Sequence, residues 1–176
     1  MVPLRPVSRE VADSCTTQLP PNVVVPPFLQ PHVEEALRSS PTLRAQCHNL
    51  ARTPSVFVRF LAGGLRGDRL YAARAEIRKY EAGAMIANVV FYLPGNVVEV
   101  VAHELEHVLE QVEGLELRHL AEVRGSGVLR VGRDNYETDR AFDVGRRVSA
   151  EVKASRLQQR TAERQADSVA AHATVP

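Results

Sequence analysis

The 176-residue chain has no Trp, and aromatic residues make up only 5 % of it. Its core must therefore be filled by aliphatic side chains. A formal net charge of +1 provides no excess positive field, which argues against phosphate binding as the main activity, and no nucleic-acid partner is expected. Lysine occurs only at positions 79 and 153; the other basic side chains are Arg, a bias that reads as GC-rich coding composition rather than as function. No run of 18 apolar residues is present, so no membrane span is expected. The first 27 residues carry Arg5 and Arg9 but no continuous apolar segment, unlike an intact secretory signal. The expected protein is soluble, either cytoplasmic or exported after removal of a signal peptide that this sequence does not contain. Cys15 and Cys47 are the only cysteines. They either pair in an oxidising compartment or remain two buried thiols in a reducing one. Neither has the close spacing of a cysteine-ligated metal site.

What is present is an ordinary globular balance, with 44 % apolar and 24 % charged residues. The length suits one domain with a proper core. Residues 1–27 hold six prolines and read as an extended arm that wraps the body or stays mobile. Helical spacing follows over Phe28–Leu37, and Ser40-Pro41 opens a second helix through Ala51. Ser55–Leu61 alternates as a strand, with Gly63-Gly64 and Gly67-Asp68 as turn signals after it. Residues 69–80 are ambiguous between helix and strand, but Gly83 and the β-like run Met85–Leu93 favour a hairpin. Asn96 and Glu99 have the spacing of a capping box for a helix running through Val112, with Gly114 as its C-terminal cap. Residues 115–134 read as loop. A long last helix is expected from near Asn135 to about Arg164, followed by a flexible tail over 166–176.

The helix after Asn96 carries His103-Glu104-Leu-Glu-His107, an H-E-x-x-H sequence. Residues at i and i+4 lie one above the other on a helix face, so both imidazoles can reach one cation. Glu104 then projects beside the metal, where it can take a proton from metal-bound water. Val97, Val101, Leu105, Val108 and Val112 form an apolar stripe that would bury this helix. Two histidines and a glutamate on a buried helix need polar partners, and a metal supplies them. The expected cofactor is Zn2+. The surrounding Glu106, Glu110, Glu113 and Glu116 are expected to face solvent. A catalytic zinc usually takes a third protein ligand. Glu110 and Glu113 stand where a metzincin would have Gly and His, which excludes that pattern.

At Asn135-Tyr136-Glu137-Thr138-Asp139-Arg140-Ala141 the chain resembles the gluzincins, zinc peptidases with H-E-x-x-H on one helix and a glutamate ligand on the next. It also resembles small bacterial proteins of the same plan, over residues 85–150. The resemblance implies Glu137 as third ligand, with Asp139 and His119 as the alternatives. It gives Asp139 an outer role, orienting a ligating His through its second nitrogen. It further implies a residue stabilising the developing oxyanion, for which Tyr136, His119 and Arg140 are the nearby candidates. The strand Met85–Leu93 either accepts an extended peptide at its edge or is a plain core strand. Arg146-Arg147 is expected to form a solvated face or to pair with Asp143 and Glu151. The expected architecture is a single α+β domain over 28–165, with a small mixed or antiparallel sheet packed on the active helix and the glutamate helix. The expected activity is peptide-bond hydrolysis on a peptide or protein substrate. The rivals are a zinc hydrolase for another amide and a non-catalytic or latent zinc-binding module.

Overall fold

The computed structural model describes residues 18–63, 72–92 and 95–173. Its elements are those of an α+β protein: β1 (Val23–Val24), α1 (Gln30–Ser39), α2 (Pro41–Ala51), β2 (Val56–Ala62), β3 (Ala73–Lys79), β4 (Met85–Phe91), α3 (Val97–Val112), α4 (Leu117–Leu120), β5 (Val128–Arg130), β6 (Tyr136–Thr138) and α5 (Asp139–Ala173). Four strands form a mixed sheet in the order β1-β2-β4-β3, and β5 and β6 form a separate antiparallel pair. Alternation decides which way each strand faces. Val56, Val58 and Phe60 of β2 point inward with Met85, Ala87, Val89 and Phe91 of β4. They join Val33, Leu37, Leu43 and Leu50 from α1 and α2, and Val101, Leu105 and Val108 from α3, in one aliphatic core.

The ambiguous segment before Gly83 is strand. Gly83 takes a φ of 80°, open to glycine at no steric cost, and the chain turns between Tyr80 and Ala84, whose N–H···O bond is 2.8 Å. β3 then runs antiparallel to β4 from Ala73↔Phe91 to Lys79↔Met85. Its first expected residues, 69–71, lie outside the described residues, as do Leu93 and the turn residues from Gly64 on.

Several expectations need correction. Residues 115–134 are not all loop, since they contain α4 and β5. The last helix begins at Asp139 rather than Asn135, because 136–138 pair with β5 and Thr138 caps the helix: its hydroxyl accepts from Ala141 N–H at 3.0 Å. Helix continues to Ala173, past Arg164 and into the expected tail. Asn96 does occupy the N-cap of α3, yet its side chain makes no cap bond to the backbone. Its amide donates instead to Glu99 at 2.9 Å and to Ser149 of α5 at 2.6 Å. At the other end Gly114 behaves as expected. With φ 75°, it lets Leu115 N–H reach Glu110 O (3.0 Å) and its own N–H reach Gln111 O (3.3 Å), a Schellman closure.

Of the proline-rich arm, residues 18–27 are described. Val23 and Val24 pair in parallel with Val58 and Arg59, and Asn22 donates to Leu50 O (2.9 Å) and Val56 O (2.8 Å) across the α2–β2 junction. Cys47 is buried on α2; Cys15 lies outside the described residues. No described helix is long and apolar enough to cross a membrane.

Candidate metal centre

Helix α3 is amphipathic, so burying Val101, Leu105 and Val108 against the sheet and α1–α2 fixes its rotation. The histidines four residues apart then share the side turned toward β6 and α5. Helix α5 crosses there at close range because residue 145 is glycine. A Cβ at Gly145 would lie 2.8 Å from Glu99 O and 3.3 Å from His103 Cβ. Phe142, three residues earlier on α5, packs edge-on against the His103 ring, with centroids 4.9 Å apart. The β5–β6 pair sets the chain just before α5. Gly127, at φ 74°, presents its carbonyl to Asp139 N–H at 2.8 Å.

This arrangement brings Glu137 onto the two imidazoles. His103 Nε2 lies 3.0 Å from Glu137 Oε2 and 3.1 Å from His107 Nε2, and His107 Nε2 is 3.4 Å from the same carboxylate oxygen. Three donors at tetrahedral angles, each about 2.0–2.1 Å from a zinc ion, would be roughly 3.3–3.4 Å apart. The observed triangle thus has the size of one face of such a tetrahedron, slightly contracted. The three residues form a group that could hold a metal ion. Glu137 comes from a strand rather than from the last helix, one residue ahead of its cap.

Glu104 lines the same cleft as His107 and Glu137. It is 5 % exposed, and its Oε2 makes no hydrogen bond. Burial pushes its pKa up, against the pull of His107 and His103 and a hydrogen bond from the Ala75 backbone. Burial also raises the Glu137 pKa, but hydrogen bonds and charge from the two imidazoles outweigh it and bring the value down to about 2. For His107, burial lowers the pKa while Glu110 and Glu137 raise it, leaving it at about 10.

The residues around the centre differ in part from expectation. The partner at the second ring nitrogen of His107 is Glu110, 2.9 Å from Nδ1, and not Asp139. The Asp139 side chain instead packs on Gly127, and Asp139 makes no hydrogen bond to either ring. Glu106 and Glu110 do not face solvent; both are buried. Glu106 accepts from Gln46 at 2.7 Å and from Arg140 Nε at 2.5 Å. Arg140 also grips Glu113 with both terminal nitrogens, so its guanidinium is held between two carboxylates and is not free to meet substrate. His119 is exposed on α4. Arg146 pairs with Asp143 as expected, at 2.7 Å. Glu151 does not join them; it accepts from the Ser40 hydroxyl and, at 2.7 Å, from the Thr42 hydroxyl at the start of α2.

A cleft of about 340 Å³ opens beside the centre, lined by Glu104, His107 and Glu137 on one side and by Ala73, Ala75 and Ile77 of β3 on the other. Tyr136 lines it too; His119 and Arg140 do not. The strand beside the cleft is β3, because β4 is bonded to β2 and β3 on its two sides and has no open edge for a peptide. Tyr92 N–H bonds to Ala72 O and Tyr80 N–H to Ala84 O. The even-numbered residues of this strand therefore face β4, which leaves the N–H and C=O groups of Ala73, Ala75 and Ile77 on the outer edge. Comparison of the chain with known protein families, curated proteins and solved structures finds no match.

Proposed function

We propose that this chain is a zinc peptidase of the gluzincin kind, with His103, His107 and Glu137 as ligands and Glu104 as the general base. The observation that carries this reading is the donor triangle of 3.0, 3.1 and 3.4 Å with the unpartnered Glu104 Oε2 beside it. A buried carboxylate oxygen without a partner calls for an explanation, and water held by a cation at the triangle would supply one.

Bound zinc would polarise a substrate carbonyl and acidify a water molecule. Glu104 Oε2 takes the proton that the attacking water gives up and passes it to the leaving amine nitrogen. Burial favours the protonated form of this carboxyl, which strengthens the carboxylate as acceptor of the water's proton. The outer edge of β3 supports a peptide as substrate. A peptide in extended form can bond to the outward backbone groups of Ala73 and Ile77 and run past the ligands, while Ala75 N–H is taken by Glu104. Tyr136 is the one oxyanion candidate that lines the cleft, which supports giving it the role of meeting the carbonyl oxygen.

The test uses zinc-loaded full-length protein and a library of extended peptides. Wild type should cleave a subset, and Glu104→Gln should keep its zinc while losing about 10²–10⁴-fold in rate. Equal cleavage by Glu104→Gln would contradict the role of Glu104. Zinc binding with no cleavage of any peptide would favour a non-catalytic module or a hydrolase for another amide.

A further inference from the structure

Glu110 lies outside the H-E-x-x-H motif, yet it is the most enclosed carboxylate among the described residues, at 1 % exposed. An isolated carboxylate so deeply buried would be costly, and here both oxygens are engaged. Oε2 is 2.9 Å from His107 Nδ1. Oε1 accepts a 2.6 Å hydrogen bond from the Thr138 hydroxyl. That hydroxyl in turn accepts from Ala141 N–H at 3.0 Å and caps α5. A carboxylate at Nδ1 holds a proton on that nitrogen, so the neutral ring of His107 presents its lone pair on Nε2, the atom facing His103 and Glu137. Thr138 is also the residue directly after Glu137. One chain of hydrogen bonds therefore connects a ligand ring on α3 to the stretch of backbone that carries the third ligand.

We infer that Glu110 and Thr138 are positioning residues for the metal, coupling the orientation of the His107 ring to the placement of Glu137. The inference rests on reading His103, His107 and Glu137 as a metal site. Its content beyond that reading is that the site is assembled through a bridge between α3 and the cap of α5. A purely structural tie between the two helices would change folding stability. It would leave the metal-free geometry of the ligands, and hence zinc affinity, unchanged.

Zinc affinity is measured by chelator competition on full-length wild type, Glu110→Gln, Thr138→Val, the double variant and Thr138→Ser. Thermal unfolding in excess EDTA records stability separately. Glu110→Gln keeps the side-chain volume and leaves the α5 cap intact. Each of the first two variants should weaken zinc binding by about 10–100-fold, and Thr138→Ser should restore wild-type affinity. The double variant should lose less than the product of the single effects, since both changes cut one chain. Wild-type affinity in both single variants, whatever their stability, would overturn the inference. If Thr138→Val fails to fold, Glu110→Gln alone decides between these outcomes. A wild type that binds no zinc would instead remove the metal reading itself, and this inference with it.

Discussion

At the scale of single residues, the candidate site residues read most easily from sequence are those set by local geometry. His103, Glu104 and His107 are legible because one turn of helix fixes their relation before any tertiary contact forms. Glu137 comes from across a β-pair, and only the resemblance of its surroundings to a known family pointed to it. The outer partner was misread because burial of a glutamate is a tertiary fact. Glu106 and Glu110 look like a solvated face in sequence, and they become buried because Gln46, Arg140 and Thr138 arrive from other elements to bind them. The charges of the centre make a prediction for the metal-free protein. The His107 pKa rises from 6.5 to about 10, so its contribution to stability is complete below pH 6.5 and fades as the pH climbs through 10. The Glu137 pKa falls from 4.5 to about 2, so its contribution is complete above pH 4.5 and fades toward pH 2. The stability difference between wild type and His107→Gln in EDTA should therefore be greatest between pH 4.5 and 6.5 and shrink on both sides. Denaturant midpoints across pH measure this, and a difference that does not vary with pH would contradict the arrangement.

At the scale of elements, strand and helix identities were largely open to reading, while their ends and edges were not. The alternation in β2 and β4 and the stripe on α3 report which face is buried. Nothing in β4 alone says that β3 will cover its far side and become the edge beside the cleft. The start of α5 moved to Asp139 because pairing with β5 claimed Tyr136–Thr138 first. The crossing of α3 and α5 depends on Gly145, which in sequence looks only like a weak point in a helix. Gly145→Ala would ordinarily favour a helix by about 1 kcal/mol. Here the added methyl meets Glu99 O and His103 Cβ, so the helices must part. The expected outcome is a net loss of about 1–3 kcal/mol together with weaker zinc binding. Chemical unfolding and chelator competition check the two parts, and a stabilised variant with unchanged affinity would show that the crossing has room to spare.

At the scale of the whole molecule, α5 is the element on which α1, α2 and α3 converge. Arg156 pairs with Glu35 of α1 at 2.5 Å, Glu151 takes the hydroxyls at the start of α2, Ser149 meets the N-cap of α3, and Arg140 binds Glu106 and Glu113 at the other end of that helix. Glu137, the proposed third ligand, is delivered by the residues that lead directly into α5. Occupancy of the centre should therefore be felt by the entire fold. Zinc at about 100 times its dissociation constant would add about 2.7 kcal/mol, which for a chain of this size raises the melting midpoint by roughly 5–10 °C.

The most direct measurement is the zinc content and thermal midpoint of wild type and Glu137→Ala, each with zinc and with EDTA. Expected are close to one zinc per wild-type chain and a midpoint that falls on chelation, with both effects greatly reduced in Glu137→Ala. A wild type that holds no zinc, or a Glu137→Ala protein that holds it as tightly as wild type, would contradict a centre built from two histidines of one helix and a glutamate from the strand beside it.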